Sequence, residues 1–269
     1  MRDVRDAQIE LTEAETGGLA ALRLVQPPGS FALTPASRVA LQAVGQHRER
    51  LTGIGLDWGT GGGVLAIAAA RLTAVAQVLG LDIAPENVAA ARQNAELNGV
   101  SEKTSFFLAD SYAPTAVSDQ NYLAALHGQI QFILANPPSS EGDDGFAFRR
   151  VVLAEGRPFL AKGGVVFLNI SYQYGPQRIA ALTEQIDGYR YGGVLASTDW
   201  VPFDLEREDL RHCLVLYAAE EERGGAAYAF APPDDPAQTL DARAALRHFQ
   251  QTGQSPFSRW QTHLFEFQG

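Results

Sequence analysis

Short apolar runs and longer amphipathic stretches take turns along most of this chain, and their periods predict the elements. Residues 53–58 form a short apolar run, followed at 63–72 by an alanine-rich helical stretch. The pattern repeats as a strand over 76–83 and a helix from Pro85 to Leu97, closed by Asn98-Gly99, since glycine readily supplies the left-handed position after a helix. Further strands are expected over 104–109, 129–135, 165–170, 191–197 and 211–218, with helices near 121–127, 146–160 and 176–186. Strand–helix units on short connections predict an α/β, Rossmann-like, mostly parallel sheet with helices on both faces. No helix-length pattern separates the strands at 191–197 and 211–218, which read as a hairpin at one sheet edge.

The two ends of the chain read differently. Residues 1–18 are a mixed-charge, peripheral segment; 20–26 alternate as a strand, and Phe31-Ala32-Leu33 is its returning partner across a Pro-Pro-Gly-Ser turn. Thr34-Pro35 starts a helix to about Gly45, as an N-cap followed by proline at the first helical position. Beyond 219 come three successive glutamates, Gly224-Gly225 and Pro232-Pro233, which mark a surface excursion; a helix over 239–251 precedes an aromatic tail that docks back. The expected division is a hairpin-and-helix lid (1–50), a core (51–219) and an appendage packed on it (220–269).

Composition narrows the class. A 46% hydrophobic content supplies a full core, and no apolar run approaches the roughly 20 residues of a membrane-spanning helix. The charged N-terminus shows no secretory signal, and the single Cys213 excludes an internal disulfide, so a cytoplasmic protein is expected. Net charge is −10, from 21 Lys+Arg against 31 Asp+Glu, the wrong sign for gripping a long phosphate backbone, so no extended DNA binding is expected. The five histidines lack metal-ligand spacing, and neither a G-x-S-x-G elbow nor a G-x-x-x-x-G-K-[ST] loop occurs.

Chemistry concentrates at strand ends. Asp57-x-Gly59-Thr60-Gly61-x-Gly63 joins the 53–58 strand to its helix, and its glycines let backbone N–H groups approach a ligand that a Cβ would exclude. Asp57 could accept bonds from a donor-rich ligand. Asp82-Ile83 ends the next strand, where an acid can take two hydrogen bonds from a ribose diol, and Asp110-Ser111 ends the third. Asn136-Pro137-Pro138 ends the fourth.

This series resembles the motifs of class I S-adenosylmethionine-dependent methyltransferases, over residues 20–218, and Asn136-Pro137-Pro138-Ser139 resembles the Asn-Pro-Pro-aromatic motif of those that act on amino and amide nitrogens (the small-domain family). The resemblance implies a seven-stranded sheet with its last strand antiparallel and S-adenosyl-L-methionine as cofactor. Phe31, Asp57, Gly59, Thr60, Gly61 and Gly63 would then line the cofactor pocket with Asp82 and Ile83 on its ribose side, Asp110 and Ser111 on its adenine side, and Asn136 at the methyl group. Asn136, Pro137 and Pro138 would be catalytic: the Asn136 oxygen and the Pro137 carbonyl each accept a hydrogen of a planar NH2, and the stiff prolines hold them in place. The acceptor would be an RNA base, a protein glutamine or a small molecule. The fourth position departs from the pattern, because Ser139 cannot stack; Phe146, Phe148 or an aromatic from the N-terminal region could replace the ring in space. A non-catalytic cofactor-binding member of the fold and a nicotinamide-dependent oxidoreductase are the rival readings.

Overall fold

The computed structural model describes residues 7–30, 32–139 and 144–269. Strands β1 (Ala7–Leu11) and β2 (Leu22–Gln26) form an antiparallel hairpin ahead of helix α1 (Pro35–Gln46). Then follow β3 (Gly53–Trp58), α2 (Val64–Ala70), β4 (Val75–Asp82), α3 (Pro85–Leu97), β5 (Thr104–Asp110) and the two-residue β6 (Ala113–Pro114). Next are α4 (Val117–Ala124), β7 (Ile130–Ala135), α5 (Ala147–Gly156), β8 (Leu160–Asn169), α6 (Gly175–Gln185) and β9 (Tyr189–Ser197). The chain closes with β10 (Val201–Pro202), α7 (Glu208–Glu222), α8 (Ala242–Thr252), β11 (Phe257–Ser258) and β12 (Gln261–Phe267).

The main sheet has the order β6-β5-β4-β3-β7-β8-β12-β9. Strands β5, β4, β3, β7 and β8 are mutually parallel, and β12 runs antiparallel to both β8 and β9. Strand order reverses between β3 and β7, and such a switch point leaves a crevice at the carboxyl ends of the strands. Register aligns the rim of that crevice: Trp58 pairs with Leu81 and Ala135, and Ala135 with Leu168. Both faces are covered, so β7 is apolar and buried without alternation from Phe132 to Ala135. Phe132 and Leu134 pack with α1 and α2 residues such as Leu41 and Ile67; Ile133 and Ala135 pack on the opposite face with Leu153 of α5 and Leu182 of α6.

The expected start of α1 is present in detail. Thr34 and Ser37 form a reciprocal capping box, with Pro35 at the first helical position. The hairpin is also present, but its partner strand is β1, within the stretch read as peripheral. Ala32 and Leu33 carry no strand, and Phe31 lies outside the described residues.

Two sequence expectations are corrected at the C-terminal end. Residues 211–218 are helical, inside α7, because Leu214 and Ala218 point inward four residues apart while Val215 and Leu216 stay exposed. The strand antiparallel to its neighbours at this edge is instead β12, the last in the chain, inserted between β8 and β9. A boundary at 219/220 therefore cuts through the sheet, and residues 261–267 are part of its core, with Leu264 and Phe265 buried.

Candidate active site

A cavity of about 710 Å³ opens at the carboxyl ends of β3, β4, β5 and β7. Of the expected site residues, Asp57, Gly59, Thr60, Gly61, Asp82, Ile83, Asp110 and Ser111 line it on one side. Asn136, Pro137 and Pro138 line it on the other. Gly63 does not. It caps α2 at φ 83°, and a Cβ there would meet Ala91 at 3.0 Å, so its glycine serves helix packing. Phe31 lies outside the described residues.

Asp57 and Asp82 build the glycine loop before they meet any ligand. Asp57, buried at the end of β3, accepts from Thr60 Oγ1 at 2.7 Å and from the Ala66 N–H at 3.1 Å. Burial pushes its carboxyl up to about 7, with the nearby Asp82 adding to the rise and the Thr60 and Ala66 bonds opposing it. Asp82 Oδ2 accepts the Gly61 N–H at 2.8 Å, while Oδ1 accepts the Ala84 N–H and Asn87 Nδ2, both at 2.9 Å. A carboxylate has about four acceptor positions, so Asp82 has room for one further hydrogen bond rather than two. Gly59, at φ 65°, leaves open space where a Cβ would stand.

The hairpin is fastened over this loop by two asparagines that no local pattern marks. Asn94 of α3 pairs with both backbone groups of Val25, accepting at 2.7 Å and donating at 3.1 Å, and also donates to the Gly62 carbonyl at 2.9 Å. One turn later Asn98 pairs with Arg23 in the same way. Together they replace a missing neighbour strand along β2 and bring Leu24, Val25 and Gln26 to the cavity wall.

The Asn-Pro-Pro segment is held from behind. Arg149 of α5, only 4% exposed, donates to the carbonyls of Pro137, Pro138, Gly145 and Asn169 at 3.0–3.3 Å. Asn136 Nδ2 donates to Ser37 Oγ at 3.2 Å, and its Oδ1 accepts from Asn169 Nδ2 at 2.9 Å. Ser139 faces away from the cavity, with its hydroxyl on the buried Tyr174 hydroxyl. Phe146 is fully buried against Tyr174, whereas Phe148 is 38% exposed, lines the cavity and lies 6.1 Å from the Trp58 ring. Trp58 Nε1 donates to Ser111 Oγ, which donates in turn to Glu155. Four carboxylates (Asp57, Asp82, Asp110, Glu155) line the cavity and, among the described residues, no lysine, arginine or histidine does.

Comparison with known proteins gives a fold, and a sequence similarity over part of the chain. Residues 33–136 match the family "Ribosomal protein L11 methyltransferase (PrmA)". The ribosomal protein L11 methyltransferase of Dechloromonas aromatica is 45% identical over 105 residues, which is 38% of this chain and 33% of that protein, so the match takes in about a third of the relative's length. A methyltransferase structure from Pyrococcus furiosus superposes with a TM-score of 0.52 at 17% identity, covering 92% of this chain and 89% of the other. P. horikoshii TYW2, solved in complex with MeSAdo, superposes with a TM-score of 0.50 at 12% identity, covering 92% and 69%. The chain has the class I S-adenosylmethionine-dependent methyltransferase fold, and over residues 33–136 its sequence is similar to the ribosomal protein L11 methyltransferases.

Proposed function

We propose that this chain is an S-adenosylmethionine-dependent N-methyltransferase acting on an amino or amide nitrogen of a protein or RNA. The observation that carries the reading is the meeting of Asn136-Pro137 with the Asp57–Gly61 loop, Asp82 and Asp110 around one cavity. The lining suits the cofactor: four carboxylates without a counter-cation favour a ligand bearing a sulfonium and an ammonium. A pyrophosphate would meet the same carboxylates unfavourably, and Asp82 already occupies the Gly61 N–H that a dinucleotide phosphate would use.

When bound, S-adenosylmethionine supplies an electrophilic methyl group. Asp57, Gly59, Thr60 and Gly61 would hold its amino-acid end, Asp82 and Ile83 its ribose, and Asp110 and Ser111 its adenine. Asn136 Oδ1 and the Pro137 carbonyl, each with one further acceptor position by count, would take the hydrogens of the acceptor NH2 and leave its lone pair free. Phe148 is the exposed ring nearest in role to the missing fourth-position aromatic. The matched relative's name specifies ribosomal protein L11 as its own acceptor, which favours a protein nitrogen, and so does this chain's net charge of −10.

The test is transfer of a labelled methyl group from S-adenosylmethionine into fractionated protein, RNA and metabolite pools. Label in N-methyl groups of protein or RNA is expected. Binding of S-adenosylhomocysteine with no label in any pool would mean a non-catalytic cofactor binder, and thermal stabilisation by NADH instead would mean an oxidoreductase.

A further inference from the structure

We propose that Asn169 is the positioning residue for Asn136, fixing which atom of that carboxamide stands ready for the acceptor; this rests on the catalytic reading of Asn136 above. Register sets the two side by side. Ala135 pairs with Leu168, so the next residues out are Asn136 and Asn169, and Asn169 pairs across β12 with Thr262.

The orientation of Asn169 follows from partners of fixed polarity. Its Nδ2 lies 2.7 Å from the Ala36 carbonyl, which can only accept, so this atom must be the amide nitrogen. Its Oδ1 takes the Thr262 hydroxyl. The second Nδ2 hydrogen then points at Asn136, 2.9 Å away, and demands an oxygen there. Ser37 makes no such demand, because its hydroxyl can donate or accept. The choice between the two Asn136 orientations is therefore made at Asn169, itself 4% exposed and used at every polar side-chain atom. A reversed Asn136 would place two amide nitrogens against each other and put its NH2 where the account needs a lone pair.

Asn169→Asp tests this, because a carboxylate cannot donate to Ala36 or Asn136. The readout is binding and needs no acceptor. Sinefungin carries a primary amine where the methyl sulfonium stands, so its affinity relative to S-adenosylhomocysteine reports the hydrogen-bond acceptors at that point. Calorimetry is run from pH 8 to pH 5, and each variant's preference is divided by the parent's at the same pH, so that the titration of Asp57 near 7 cancels. The charged groups adjoining Asn169 are Arg149, whose Nε donates to its carbonyl, and His263, the neighbour of Thr262, which burial keeps neutral down to about 4, so neither changes charge in that window.

The sinefungin preference should fall roughly tenfold in Asn169→Asp at pH 8, the scale of one charge-assisted hydrogen bond, and climb back as acid protonates the new carboxyl and restores a donor. Thr262→Val, which removes only the lock on Asn169, should lower the preference less and by the same factor, relative to the parent, at every pH. Asn136→Ala separates the two claims. If it lowers the preference while Asn169→Asp keeps the parent value at pH 8, or shows a low value flat across pH, the positioning role is wrong. If Asn136→Ala itself leaves the preference unchanged, the catalytic reading of Asn136 fails first.

Discussion

The guanidinium of Arg149 donates through Nη2 to the carbonyl oxygen of Pro137 at 3.3 Å, so one α5 side chain holds the turn that follows β7. Three more carbonyls share the same head group. A lysine presents a single ammonium and cannot reproduce that fork. Arg149→Lys should lower unfolding stability by about 3 kcal/mol in urea titration and reduce methyl transfer at least tenfold, while S-adenosylhomocysteine affinity changes little. Equal loss of binding and turnover would make the clamp a general fold element instead of a support for Pro137.

Asn94 is the corresponding fastening on the cofactor side. Asn94→Ala removes three hydrogen bonds at a site 1% exposed and should cost roughly 2–3 kcal/mol. It should also free the hairpin, read as faster amide hydrogen exchange over 22–26 and weaker S-adenosylhomocysteine binding. Unchanged exchange at Val25 would show that the hairpin is held by its apolar contacts alone.

These two side chains also mark how far the sequence could be read. The glycine loop, the acids at the ends of β4 and β5 and the Asn-Pro-Pro turn were legible because each is a local device: a turn needing positive φ or a polar group at a strand end. Arg149, Asn94 and Asn169 carry no such mark, since each acts on backbone groups far along the chain. The same holds for β12. Its residues are buried almost continuously, so its pattern lacks alternation, and its place depends on pairing with residues 93–101 positions away in β8 and 64–78 positions away in β9. The run His212–Tyr217 misleads for the opposite reason: six residues of apolar character fit a strand, and only the inward pair Leu214 and Ala218 reveals the helical period.

Asp57 should make cofactor affinity depend on pH. With its carboxyl near 7, protonation below neutrality removes a negative charge facing a cationic ligand. Binding of S-adenosylmethionine should weaken from pH 8 to pH 6 in the parent and stay flat in Asp57→Asn. Stability carries the reverse sign. The folded value exceeds the unfolded 3.8, so the folded state holds the extra proton, and stability falls as pH rises from 3.8 through 7. Asp57→Asn should therefore gain on the parent by a few kcal/mol between pH 4 and pH 8, measured as the difference in urea unfolding.

His263 works in the opposite direction. It is buried, bonded to the Ile170 carbonyl and the Tyr191 hydroxyl, and burial lowers its value to about 4 from 6.5. The unfolded state gains the proton first, so its contribution is whole above 6.5 and is lost as pH falls towards 4. That loss is on the order of 3 kcal/mol. His263→Gln should flatten the parent's acid slope in this window, and an identical slope in both proteins would remove His263 from the acid response.

Whether one crevice binds the cofactor beside the Asn136 turn is decided by calorimetric titration of S-adenosylhomocysteine. The parent protein should bind a single equivalent, Asp82→Ala should bind at least tenfold more weakly, and Asn136→Ala should bind as the parent does while losing methyl transfer. No heat of binding in the parent, or an Asp82→Ala variant with undiminished affinity, would contradict the account.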